Sequence, residues 1–317
     1  MAYYLGVDGG GSKTMCAVGD ESSLLATVTA GPSNITRVGP TRARQALHVA
    51  IRQACAHAKI APQQVQRACI GVAGAGREEI AGVVRKIVAE MIAGEIDVVG
   101  DMQIALAAAF GAGPGVIVVA GTGSIAYGRD GQGRTARAGG WGFAISDEGS
   151  AHWIGRSALS ALLRTIDRGS DQSKDARATV ETTPLFREMA AAWELHSLDE
   201  LVRAANSNFD FAKLFPAILT AAEAGDALAP PVLAQAGREL AQLAGIVVRR
   251  LFPEDNGGLP GLSLAMAGGV FRHSSGVREC FGHEVRKLEP HLELNSQVVE
   301  PVAGALQMAR VDQTRGK

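Results

Sequence analysis

Apolar and polar positions follow two rhythms along this chain, and the changes between them mark its elements. Tyr3 to Val7 runs without a polar interruption and is rich in β-formers, which predicts a buried strand. "DGGGSKT" ends it, and two shorter strands are expected at Met15 to Val18 and Leu24 to Val28. After the loop "AGPSNITRVGP" the period lengthens. Ala43, Ala46, Leu47, Ala50, Ile51, Ala54 and Cys55 recur at helical spacing, with Thr41 as the expected N-cap. "RACIGVAGAG" reads as a strand ending in glycines and "REEIAGVVRKIVAEMI" as a helix. "EIDVVGD" is another strand, and "MQIALAAAFGAG" a helix stopped by glycine. The order is β-β-β-α-β-α-β-α.

The same opening then recurs. "GVIVVAGTGSIAYGRDGQGRTARAGG" predicts strand, glycine turn, strand, a turn at Asp130–Gly131, and strand. A long helical region follows from about Gly149 into the 240s, with breaks expected at Pro184, Pro216 and Pro230–Pro231. "LSLAMAGGVF" is a further strand, and "VVEPVAGALQMARV" closes the chain with a short strand and a helix. Two halves with one plan imply two similar α/β domains, 1–112 and 113–302, with a last helix at about 303–317 packing back on the first.

Composition narrows the partners. In 317 residues, 31 Lys plus Arg against 32 Asp plus Glu give no electrostatic reason to expect nucleic acid or an anionic membrane. No apolar stretch approaches the roughly 20 residues of a membrane span, and no signal-peptide pattern opens the chain. Cys16, Cys55, Cys69 and Cys280 lie far apart without a C-x-x-C pair, a pattern of reduced thiols rather than a disulfide framework. A cytoplasmic α/β enzyme is expected.

Four segments carry candidate chemistry. "DGGGSK" follows the first strand; glycines there free the backbone for φ > 0 and for close approach, and successive N–H groups make a concavity suited to phosphate. It lacks the P-loop spacing and precedes a strand, so a plain hairpin turn explains it equally well. "AGTGSIA" has the G-x-G-x-x-A spacing of a dinucleotide fingerprint, but a hairpin, not a helix, follows. In "VVGD", Asp101 stands at the carboxyl end of a strand, where α/β sites gather, though an N-cap role also fits. "GGWGFAISDEGSAHWIG" pairs tryptophans with acids, as sugar sites do. There Asp147, Glu148, Gly149 and Ser150 can also cap the next helix, and Trp141 and Trp153 can be core.

Together "GVDGGGSKT", "GVAGAG", "VVGD", "VAGTGS", "GGWGFAISDEGSAHWIG" and "AMAGGVF" resemble, in order, the BadF/BadG/BcrA/BcrD-type ATPase and N-acetylglucosamine kinase family. That family belongs to the sugar kinase, actin and heat-shock chaperone superfamily. The resemblance implies two ribonuclease-H-like, actin-like ATPase domains with ATP and an amino sugar in a cleft between them. It makes Gly10, Gly11, Ser12 and Lys13 the first phosphate turn and Gly121, Thr122 and Gly123 the second. Asp8 becomes the acid that holds Mg²⁺, through water, and Gly268 and Gly269 pack against adenosine. Asn34, Asp101, Ser124, Trp141, Gly142 and Asp147 match sugar-contacting positions, with Asp101 as the base for the sugar 6-hydroxyl. The family analogy allows a homodimer.

Ser146 stands where the kinases of this group usually have glycine, and related glucosamine kinases share the resulting "ISD", which keeps glucosamine open beside N-acetylglucosamine. An ATPase that activates a partner enzyme would need closely placed cluster-binding cysteines, which this chain lacks. A sugar-sensing regulator would usually carry a helix-turn-helix, whereas this chain begins at its first strand.

Overall fold

The computed structural model describes residues 1–168, 174–207, 210–253 and 262–311. The chain divides into two compact units. The first comprises Met1–Ile117, Tyr127–Thr135 and the chain from Val299; the second comprises Val118–Ala126 and Ala136–Val298.

In the first unit, β1 (Tyr3–Gly9), β2 (Thr14–Gly19) and β3 (Leu24–Ala30) form an antiparallel meander, and β4 (Val65–Val72) and β5 (Glu95–Val99) extend it in parallel in the order β3-β2-β1-β4-β5. Helices α1 (Ile35–His57) and α2 (Glu78–Ala89) provide the crossovers, and α3 (Asp101–Phe110) follows β5 and leads to the second sheet. Leu5, Val7, Leu47, Ile51, Ile70 and Val84 are fully buried in one cluster, each such side chain contributing about 1.5–3 kcal/mol of burial free energy.

The start of α1 departs from expectation. It begins at Ile35, capped by Asn34, whose Oδ1 accepts the Thr36 N–H at 3.1 Å. Gly39 (φ 77°, ψ 163°) and Pro40 kink it, so Thr41 lies inside the second segment rather than capping it. A residue before proline avoids the α region, and a proline tolerates only the first turn, which together make Gly39–Pro40 a restart.

The closing helix α12 (Pro301–Arg310) packs on β1 and α3 of this unit. A Cβ on Gly6 would meet the Leu306 backbone nitrogen at 2.3 Å, and one on Gly304 would meet the Ile104 carbonyl at 2.0 Å, so glycine on each side sets the distance of approach. Of the expected span 303–317, residues 312–317 lie outside the described residues.

The second sheet repeats the topology of the first. β6 (Gly115–Ala120), β7 (Ser124–Arg129), β8 (Thr135–Gly139), β9 (Ser263–Ala267) and β10 (Glu293–Val299) lie in the order β10-β9-β6-β7-β8. Helices α4 (Ala151–Arg168), α5 (Lys174–Glu181), α6 (Pro184–Ala192), α7 (Leu198–Ala205), α8 (Phe215–Glu223) and α9 (Ala229–Leu251) fill the long connection. Its prolines open helices: Pro184 begins α6, and Pro216, Pro230 and Pro231 stand in the first turns of α8 and α9. Residues 169–173 and 208–209 of the expected helical region lie outside the described residues. Between β9 and β10 come α10 (Gly269–His273) and α11 (Ser275–Leu288), two helices beyond those expected from the apolar pattern. No helix among the described residues is long and apolar enough to cross a membrane.

Candidate active site

The first unit gathers its candidates at the carboxyl end of its parallel strands. Register pairs Asp8 of β1 with Gly71 of β4, and Gly71 with Val99 of β5. Asp101 follows two residues later, so the two acids share one sheet end, separated by β4 alone. Neighbouring strands lie about 4.8 Å apart, which places these positions within about 10 Å in the hydrogen-bonding direction. Gly71 permits this: a Cβ there would meet Ile104 of α3 at 2.2 Å.

The first glycine turn closes on itself and on α1. The Gly10 N–H donates to the Lys13 carbonyl at 3.0 Å, while the Gly10 carbonyl accepts the N–H groups of Ser33 and Asn34 at 3.1 and 3.2 Å. Buried Thr14 donates from Oγ1 to the Gly31 carbonyl at 2.7 Å and stands 2.7 Å from buried Ser33 Oγ. Ser12 and Lys13 are exposed at the tip. The turn thus carries Asn34 beside it, and Asp8 stands at its foot. Neither Gly9 nor Gly10 adopts the φ > 0 expected of them; close approach is their reason. A Cβ on Gly9 would meet Val72 at 2.7 Å and Ser33 Oγ at 2.8 Å.

Asp101 is the first residue of α3, and Gly100 (φ −66°, ψ 143°) takes the capping position, which corrects the N-cap alternative. The Gly100 N–H donates to Gln103 Oε1 at 3.0 Å, and the Met102 N–H donates to Asp101 Oδ1 at 3.0 Å. Burial raises the Asp101 carboxyl above the usual carboxylate range, while the N–H groups of Met102 and of Asp101 itself oppose the rise. Part of the residue's surface stays accessible, but the carboxyl lies low enough for desolvation to dominate.

The second unit builds its turn from β6 and β7. The Gly121 N–H donates to the Gly123 carbonyl at 2.9 Å. The Gly121 and Thr122 carbonyls accept the first N–H groups of α4, from Ala151 at 2.9 Å and His152 at 3.4 Å. Ser150, fully buried, caps α4 by accepting the Trp153 N–H on Oγ at 3.2 Å. Ser124 Oγ donates to the Glu148 carbonyl at 2.7 Å, and Ser146 Oγ to Glu148 Oε2 at 3.1 Å. The acidic loop is therefore pinned to the glycine turn.

Asp147 is 7% exposed and holds φ 65°, a left-handed conformation for a residue with a side chain. Such a conformation costs about 1–3 kcal/mol and persists where the surroundings over-determine it, commonly at ligand sites. Gly268 (φ 99°) brings the end of β9 against β6; a Cβ there would lie 2.3 Å from the Ala120 carbonyl oxygen, just before the turn. Trp141 is 65% exposed and Gly142 is also exposed, so Trp141 is no core residue, whereas Trp153 is half-buried. Arg137, whose guanidinium carbon stands 4.3 Å from the Trp141 ring centroid, belongs to no motif in the sequence. The only sequence mark of Thr14 and Ser33 is that they are small polar residues flanking a turn and a helix.

The candidates thus form two groups, one in each unit, each around a hairpin turn that a strand's carboxyl end presents. Comparisons give them a family. The model of the BadF/BadG/BcrA/BcrD ATPase family matches residues 5–309. The chain belongs to that family. It is 31% identical to the N-acetylmuramic acid/N-acetylglucosamine kinase of Clostridium acetobutylicum, over 98% of this chain and 99% of that one. It is 26% identical to the N-acetyl-D-glucosamine kinase of Dictyostelium discoideum, over 96% and 97%. The crystal structure of a Chromobacterium violaceum protein, assigned as an N-acetylglucosamine kinase, superposes with a TM-score of 0.72 at 25% identity, covering 98% of this chain and 99% of that one. The two repeated α/β units are those of the actin-like sugar kinases.

In this family member all four cysteines are free thiols. Burial pushes the Cys55 thiol up to about 11 and the Cys69 thiol up to about 12, and raises Cys16 further. Thiolates are what cluster ligation requires, so these three positions are poorly suited to it.

Proposed function

We propose that this chain is an ATP-dependent amino-sugar kinase that phosphorylates N-acetylglucosamine at its 6-hydroxyl. The observation that carries the reading is the pair of carboxylates at one sheet end: Asp8 beside the first glycine turn, and Asp101 two strands away with its carboxyl raised by burial. The names of the relatives over nearly the whole chain support the sugar.

Each residue then has a task. Backbone N–H groups of Gly11, Ser12 and Lys13, with those of Thr122 and Gly123, hold ATP phosphates, while Gly10 and Gly121 close the two turns through their own N–H groups; Gly268 and Gly269 pack on the adenosine. Asn34, Ser124, Trp141, Gly142 and Asp147 orient the sugar. Asp101 accepts the proton of the 6-hydroxyl as its oxygen bonds to the γ-phosphorus. The bond from that phosphorus to the bridging oxygen breaks, and ADP leaves. A base shifted toward neutrality combines ionisation with useful basicity. The donor set also suits Mg²⁺. Asp8 offers one carboxylate, and no group of three or more acids, histidines or cysteines forms a cage among the described residues. That ion keeps most of its waters and takes one or two carboxylates plus phosphate oxygens. When bound, it neutralises phosphate charge; positioning and charge compensation supply most of phosphoryl transfer.

Glucosamine is a second reading, favoured by Ser146, whose hydroxyl fixes a Glu148 carboxylate oxygen in the acidic loop, a partner for an ammonium. N-acetylmuramic acid, which shares the name of the Clostridium relative, belongs in the same panel. The test is ADP release with Mg·ATP and no sugar, N-acetylglucosamine, glucosamine, N-acetylmuramic acid, N-acetylmannosamine or glucose. Strong stimulation by N-acetylglucosamine supports the proposal, while steady hydrolysis that no sugar stimulates removes it.

A further inference from the structure

Among the described residues no carboxylate pairs with Arg137, although other surface arginines such as Arg134 and Arg249 have acidic partners. Arg137 lies on β8, an edge strand, and its carbonyl accepts a 2.7 Å hydrogen bond from Arg250 Nη1, which fixes the backbone at that point. Its guanidinium carbon lies over the Trp141 ring, 4.3 Å from the centroid, within cation–π range. Gly139 and Gly140, at φ 73° and 69°, turn the chain so that a residue four positions on can lie against it. A Cβ on Gly140 would meet Ile125 at 2.7 Å, which holds this turn down on β7.

A guanidinium held over an aromatic ring still carries its five N–H donors, and that planar fork matches a carboxylate in bidentate fashion. The 65% exposure of Trp141 leaves much of its ring open to a ligand. A neutral amino sugar offers this cation only hydroxyls. An amino sugar with a carboxylate on an ether arm offers two charge-assisted hydrogen bonds beside the stacking surface.

We infer that Arg137 and Trp141 form a carboxylate-recognising pair that selects amino sugars bearing an acidic ether substituent. This rests on the kinase reading, in which Trp141 faces the sugar. The experiment compares wild type, Arg137→Gln and Arg137→Lys with three acceptors: N-acetylglucosamine, N-acetylmuramic acid and the methyl ester of N-acetylmuramic acid. Expected for Arg137→Gln is a rise of about tenfold or more in KM for N-acetylmuramic acid with kcat little changed. KM for N-acetylglucosamine and for the ester should stay within about twofold, and Arg137→Lys should recover only part of the loss because it lacks the fork. Equal losses for the acid and N-acetylglucosamine, or a change confined to the KM for ATP, would overturn the inference while leaving the kinase reading intact. So would wild type that phosphorylates N-acetylglucosamine but not N-acetylmuramic acid. Absence of turnover with every sugar overturns both.

Discussion

A Cβ placed on Gly123 would stand 2.6 Å from Oδ2 of Asp147. The second glycine turn and the strained acid behind it are therefore one packed unit, and neither can change alone. Gly123 itself needs no left-handed backbone, so its requirement is space. Gly123→Ala should displace the Asp147 carboxylate and raise the sugar KM about tenfold or more, since displacements near 1 Å at positioning groups are expensive. Steady-state kinetics with N-acetylglucosamine, alongside Asp147→Asn, test this. Wild-type kinetics for Gly123→Ala would show that Asp147 does not orient the sugar.

The first turn supports a parallel prediction about the nucleotide. A Cβ on Gly10 would lie 2.8 Å from the Lys13 carbonyl oxygen, the acceptor of the Gly10 N–H itself. A backbone atom cannot swing aside as a side-chain tip can. Gly10→Ala should open the turn and raise the KM for ATP about tenfold or more at saturating sugar, with a smaller effect on the sugar KM. An unchanged KM for ATP would remove residues 10–13 from the phosphate site.

Much of this was legible from periodicity. The strands, both glycine turns and the doubled topology follow from apolar runs interrupted by glycine, because buried strands leave a strong signal. What stayed hidden depends on contacts between distant segments. Asn34 begins α1 because its carbonyl-bearing side chain reaches Thr36, and the later Gly39–Pro40 pair only kinks the helix, whereas local propensity favoured a start at Thr41. β10 was legible only at its end: it is a half-exposed edge strand with polar residues, and burial imposes little pattern there. In the site, Asp101 could be read from its place after "VVG". Arg137 could not, because only the turn through Gly139 and Gly140 brings it to Trp141.

Two helical glycines should respond to alanine with opposite signs. A Cβ added to Gly82 in α2 would have nothing within 4 Å, so Gly82→Ala should stabilise by up to about 1 kcal/mol through helix propensity. Gly304 in α12 gains the same propensity, but its Cβ would lie 2.0 Å from the Ile104 carbonyl oxygen and 2.4 Å from the Ala108 nitrogen. Overpacking costs about 1–3 kcal/mol and here presses on backbone that cannot repack, so Gly304→Ala should lower stability. Urea midpoints at constant m-value check both signs. A stabilised Gly304→Ala variant would mean that α12 stands off α3.

Asp101 links catalysis to stability through its proton. Burial raises its carboxyl in the folded state above the value of about 3.9 that an unfolded chain gives. Between those two values the folded state binds more proton than the unfolded one, so stability falls as pH rises through that window and stays reduced above it. Asparagine at this position keeps an oxygen for the Met102 N–H and has no charge to desolvate. Asp101→Asn should therefore have a higher Tm than wild type at pH 7, and the difference should vanish below about pH 3.9, where both states of the wild-type carboxyl are protonated. The same substitution should lower kcat by about 10² to 10⁴ while sugar binding persists, the usual cost of losing a general base. The acid limb of wild-type kcat should also lie above the ordinary aspartate range. A Tm difference that does not change with pH would place the carboxyl in solvent, and a variant with near-wild-type kcat would take the role of base away from Asp101.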